Sequence, residues 1–84
     1  MKAATRRKPR RYERLKKLTP QQAIQAWMDA DFRVGEDEAL LFAIRNGTNT
    51  KISDTALEAL IWESIDAEED AKTCLLKIDR HIRT

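Results

Sequence analysis

The chain has 84 residues, with sixteen Lys and Arg, fourteen Asp and Glu, one His, one Cys and two Gly. That length allows one small domain whose single core is only marginally stabilising, and the lone Cys74 excludes an intrachain disulfide framework. Two glycines leave no phosphate-cradling loop, and one Cys with one His leave a structural zinc site without its ligands.

The near-neutral total of +2 hides a division along the chain. Residues 1–17 hold nine cations (Lys2, Arg6, Arg7, Lys8, Arg10, Arg11, Arg14, Lys16 and Lys17) and one anion, Glu13, a balance of +8. The other 67 residues hold seven cations and thirteen anions, a balance of −6. Such asymmetry points to a nucleic-acid or acidic-surface partner for the basic end. Five of the nine cations are Arg, whose planar guanidinium grips phosphate or a guanine edge bidentately and stacks on exposed bases. Neutralising ~6 phosphates releases enough counterions for a log-log salt slope of roughly −4 to −5. Tyr12, set among the cations, suits stacking on an unpaired base. The bland readings of the same run are a solubilising tail, a nuclear-localisation signal, or a patch for an acidic protein or membrane surface. Pro9 interrupts the run, and an interior proline disfavours helix by ~3 kcal/mol. A bend between two extended halves is therefore expected there.

Met1, Ala3, Thr5-Arg6-Arg7-Lys8, Arg10-Arg11 and Glu13-Arg14, read without gaps, resemble the arginine-rich RNA-binding segment of the antitermination N proteins of lambdoid phages. The resemblance implies a bent helix on a small RNA hairpin, with Arg6, Arg7, Lys8, Arg10, Arg11 and Arg14 as the contacts. It further implies a phage- or plasmid-type regulator that acts on transcription with host factors.

Thr19-Pro20-Gln21-Gln22 reads as a helix start, with Thr19 as cap, Pro20 at the first helical position and Gln22 closing a capping box. The helix is expected over 20–31, its apolar face formed by Ile24, Trp27 and Met28 with Ala23, Ala26 and Ala30. Phe32 and Val34 follow in an extended connection, and Glu36, Asp37 and Glu38 complement the positive end of the next helix dipole. That helix, through Leu40, Leu41, Phe42 and Ile44, is apolar all round and should be the most buried element. Arg45 and Gly47 are expected to end it, Gly47 as a left-handed cap.

Ile52 and Leu57 have the spacing of a hydrophobic staple around the cap Ser53. The next apolar stripe is Leu57, Leu60, Ile61, Trp62 and Ile65. Beyond it, either one helix runs over 54–82, or a break falls where Asp66 caps a new helix and Glu69 closes a second capping box. Ser64, Ala67 and Glu68 weaken the stripe midway and favour the break. Ala71, Leu75, Ile78 and Ile82, with Cys74 beside them, form a last stripe that serves as core or as a dimer seam. The fold expected is all-α: a bundle of three or four helices over 18–84, acidic, with a basic and flexible N-terminal arm over 1–17.

Catalytic chemistry finds no constellation. Cys74 and His81, seven apart, are read as a core thiol and a surface imidazole. The cluster Asp66, Glu68, Glu69 and Asp70 lacks the spacing and central glycine of a calcium loop. No catalytic residue, metal or cofactor is expected. No apolar run approaches the ~20 residues of a membrane span, and a cytoplasmic, soluble protein is expected. A helix-turn-helix built from the second helix, the loop 46–52 and the third helix would put Asp54, Thr55 and Glu58 on its recognition helix, which lacks the side chains that read base edges or pair phosphates.

The expected function is that of a small nucleic-acid-binding regulator without enzymatic activity, its arm binding structured RNA in preference to DNA. Arg6, Arg7, Lys8, Arg10, Arg11, Tyr12, Arg14, Lys16 and Lys17 are the candidate contacts. The acidic body would engage a polymerase- or ribosome-associated protein or a second copy of the chain. The alternatives are an interaction or inhibitory factor whose arm docks on an acidic groove of a larger machine, and a helix-turn-helix DNA-binding regulator.

Overall fold

The computed structural model describes residues 7–30, 32–48 and 51–83, with side chains from 11 to 81 within those ranges. The described residues form five helices: α1 Arg7–Lys16, α2 Pro20–Asp29, α3 Asp37–Thr48, α4 Asp54–Asp66 and α5 Ala71–Arg83. Among the described residues no strand occurs, so the chain is all-α. The body holds four helices, and the arm supplies a fifth.

The core is where the apolar stripes of α2 to α5 converge. Ile24 of α2, Leu40 and Ile44 of α3, Leu57 and Ile61 of α4, and Ile78 of α5 are fully buried together. Burying each such side chain contributes about 1.5–3 kcal/mol. The second helix is central, packing most extensively on α3 and α5, while α4 leans on α5.

Local chemistry sets the ends of α2. The Thr19 hydroxyl accepts from the Gln22 backbone N–H at 3.2 Å, and the Gln22 side chain accepts from the Thr19 N–H at 3.0 Å. The box satisfies two donors that a helix start otherwise leaves open. The helix stops at Asp29, two residues before the expected end, because Ala30 turns left-handed at φ 55°. A turn over Arg33 to Glu36 follows, and Gly35 supplies its φ of +97°, which a side chain would oppose.

The third helix buries Ala39, Leu40, Leu41, Ala43 and Ile44, as an apolar run should. Phe42 departs from that pattern: it remains half-exposed, with the Lys16 ammonium 5.2 Å above its ring. Gly47 also departs from expectation. It lies inside the helix rather than at a left-handed cap. Its role is close approach, since a Cβ at Gly47 would stand 2.5 Å from Pro20 Cγ and 2.7 Å from Cδ. Only a residue without a side chain lets the last turn of α3 rest on the first turn of α2.

Ser53 caps α4 by accepting from the Ala56 N–H at 3.2 Å, and Ile52 and Leu57 both join the core, completing the staple. The break after α4 is present, but its cap differs from the expected Asp66. Asp66 is the last residue of α4, Glu68 turns left-handed at φ 58°, and Asp70 caps α5 through the Thr73 N–H at 2.8 Å. That bond is the main cause of a lowered Asp70 pKa. Along α5 the buried stripe is Ala71, Cys74 and Ile78, with Leu75 only partly covered and Leu76 more than half exposed. Cys74, set beside the expected stripe, is at its centre. Ile82 lies outside the described side chains.

Pro9 does not break α1. The helix begins at Arg7, which makes Pro9 its third residue. The first-turn N–H groups have no partner inside any helix, so proline is tolerated there without loss of a hydrogen bond. The expectation of a bend between extended halves is corrected on this point.

Candidate nucleic-acid interface

The cations of the arm have distinct settings because α1 is laid against α3. Leu15 and Leu18 pack on the core and fix which side of α1 faces inward. One turn earlier, Arg11 reaches the start of α3, where its Nε donates to Glu36 Oε2 at 2.7 Å. The other Glu36 oxygen accepts from the Arg33 backbone N–H at 2.7 Å. The Arg11 hydrogen bond, followed by the Arg33 one, holds the Glu36 carboxyl below the usual carboxylate range.

Lys16, one turn on from Tyr12 along α1, reaches Phe42 of α3. The Lys16 ammonium lies 5.2 Å from the Tyr12 ring centroid and 5.2 Å from that of Phe42, and 3.7 Å from Glu13 Oε2. Its contact with Phe42 helps seat α1 on α3, and Tyr12 is half-covered. Arg14 and Lys17 are exposed. Arg6 lies outside the described residues, and of Arg7, Lys8 and Arg10 only the helical backbone is described. The helical register sets positions 7, 10 and 14 along one side, since i, i+3 and i+7 coincide in a period of 3.6.

The structure adds Arg33. It stands exposed in the turn before α3, bordering a shallow polar recess with Arg11, Ala30 and Phe32. Its distance from the arm in sequence hides it, and only the seating of α1 on α3 brings it near. Beside α1, a groove of about 490 Å³ runs between that helix and α2, with Arg11 and Arg14 on one wall and Gln25 and Asp29 on the other.

Three carboxylates of the acidic body pair with cations of the body itself. Lys77 lies 2.6 Å from Glu69 and 3.6 Å from Glu63, tying α5 to the end of α4, and the Glu69 hydrogen bond raises its pKa. Arg45 pairs with Asp54 at the start of α4, so the would-be recognition helix presents Asp54 and Thr55 with a cation already engaged behind them. Cys74 is fully buried, its Sγ 4.0 Å from the Leu60 carbonyl, and burial pushes the thiol pKa up. A thiol in that setting is a packing group, since thiolate character is what makes cysteine reactive. His81 is exposed on α5, and no group of three or more His, Cys, Asp or Glu that could hold a metal occurs among the described residues. No helix of the described residues is long and apolar enough to cross a membrane. Comparison with protein-family models, curated proteins and solved structures found no match to this chain.

Proposed function

We propose that the protein is a small nucleic-acid-binding regulator whose basic helix α1 meets the phosphates of structured RNA, while its acidic body engages a protein partner or a second copy. The observation that carries this reading is the separation of charge onto a defined element. The +8 arm contributes a helix anchored by Leu15, by the Arg11–Glu36 pair and by Leu18 just beyond its end, while Arg14 and Lys17 stay exposed. A pre-formed basic helix loses less conformational entropy on binding than a free tail does.

The test is a titration of a short RNA stem-loop, and of a DNA duplex of equal length, at several salt concentrations. The stem-loop should bind more tightly, and Arg14→Ala with Lys17→Ala should reduce the magnitude of its salt slope by roughly 0.7–0.9 per lost contact. Arg14→Lys keeps the charge and removes the planar fork, and should weaken the stem-loop more than the duplex. Equal binding of both nucleic acids, indifferent to these changes, would defeat the reading. Nuclease-resistant capture of one protein partner through the arm would favour docking on an acidic groove instead.

A further inference from the structure

We infer that the groove between α1 and α2 receives one unpaired base of the bound RNA; the inference rests on the nucleic-acid reading above. Its volume of about 490 Å³ falls within the range of small-ligand sites. The lining divides into three kinds of surface. Leu15, Leu18 and Ala26 form a half-buried apolar floor continuous with the core. Arg14, on the α1 wall, is exposed and has the charge and planarity to hold a phosphate or cover a ring. Across from it, the Gln25 amide nitrogen donates to Asp29 Oδ1 at 2.9 Å, which leaves its second N–H as a donor and the Gln25 carbonyl and the second Asp29 oxygen as acceptors.

That combination matches a nucleobase better than the alternatives. An apolar helix would bury Arg14 and Asp29 without partners, at a desolvation cost. A phosphate alone would leave the apolar floor unused and meet the Asp29 carboxylate. A base places its face on the floor, its exocyclic amine on the Gln25 and Asp29 acceptors, and its own phosphate at Arg14. Sequence-specific RNA recognition commonly works on such splayed bases rather than on the deep A-form major groove. The wall thus offers acceptors and amide donors side by side, which suits the mixed donor and acceptor edge of a base without selecting one base over another.

The experiment uses the full chain and a short stem-loop with an adenosine-only loop, in which each loop nucleotide is made abasic in turn. One abasic position should weaken wild-type binding about tenfold, the order expected for loss of one docked base. Ala26→Leu, which fills the floor, should lower affinity for the intact loop by a similar factor and make the abasic change at that position neutral. Gln25→Ala, an exposed change that leaves the core untouched and removes the acceptor from the wall, should weaken the intact loop more than the abasic one and serves if Ala26→Leu perturbs folding. If the stem-loop binds but every abasic position is neutral, or both variants weaken intact and abasic loops alike, the base site is overturned and the phosphate reading stands. If the stem-loop does not bind, the nucleic-acid reading itself falls.

Discussion

Arg11 and Glu36, twenty-five residues apart, form the hydrogen-bonded ion pair that joins the basic helix to the start of α3, Nε to Oε2 at 2.7 Å. The pair gives the seating of α1 a pH dependence with a defined sign. Arg11 and the Arg33 N–H lower the Glu36 pKa beneath its ordinary 4.5, so this carboxylate contributes stability that is full above that value. The contribution is lost as pH falls through the lowered folded value. Glu36→Gln should therefore melt below wild type at neutral pH, and the gap should close on acidification below pH 4.5. Thermal melts of both proteins across the acid range check it; a gap independent of pH would remove Glu36 from the account.

Gly47 predicts an inversion of the usual glycine rule. In an exposed helix interior, Gly→Ala stabilises by roughly 0.8–1 kcal/mol. Here the added Cβ meets the Pro20 ring at 2.5 Å, and overpacking of that kind costs typically 1–3 kcal/mol. Gly47→Ala should lower the melting temperature by several degrees, since ~1 kcal/mol corresponds to about 4–8 °C in a domain of this size. In a Pro20→Ala background the obstacle is gone and the same change should stabilise. A double-mutant cycle by thermal melting reads the sign change directly.

The Thr19 box and the Ile52–Leu57 staple are legible in the sequence because each is a contact among residues at most five apart. Features that depend on neighbours distant in sequence are not. Gly47 followed by a polar loop has the local signature of a cap, and only the presence of Pro20 against it shows that it serves packing. Arg11 has the local signature of a phosphate contact, and its pairing with Glu36 exists only once α1 lies on α3. Arg33 stands in a segment with no basic pattern of its own, so nothing local marks it as a neighbour of the arm.

The α4–α5 junction lies between these cases. Asp66 and Asp70 both have the chemistry of a cap, and the sequence spacing at Glu69 favours Asp66. In the structure α4 runs through Asp66 with Ser64 buried in the core, the chain turns at Glu68, and Asp70 is left as the cap. Asp70→Ala should cost about 1 kcal/mol through the loss of its bond to Thr73. Asp66→Ala should be nearly neutral, as surface changes away from such features usually lie within about 0.5 kcal/mol. Chemical denaturation of the two variants distinguishes the caps.

Pro9 connects helix chemistry to recognition. With α1 starting at Arg7, the proline sits in the first turn, where its missing N–H removes no bond. Pro9→Ala alters no charge, so it should leave stability within about 0.5 kcal/mol and the salt slope of RNA binding unchanged. The resemblance to the phage antitermination segment requires more of the bound state, because a helix that carries Arg6 into the RNA groove must begin earlier in the chain. If bound RNA extended the helix back through Thr5, the ring of Pro9 would meet the Thr5 carbonyl, and a helix interior disfavours proline by ~3 kcal/mol. Pro9→Ala would then tighten binding markedly and add helical signal to the complex. We expect the first outcome, equal affinity and equal helicity, with the bound helix still starting at Arg7. Titration of wild type and Pro9→Ala against the same stem-loop, followed by fluorescence anisotropy and circular dichroism at two salt concentrations, decides between them: an affinity gain that persists at both salts and comes with added helicity would place Arg6 in a longer helix on the RNA.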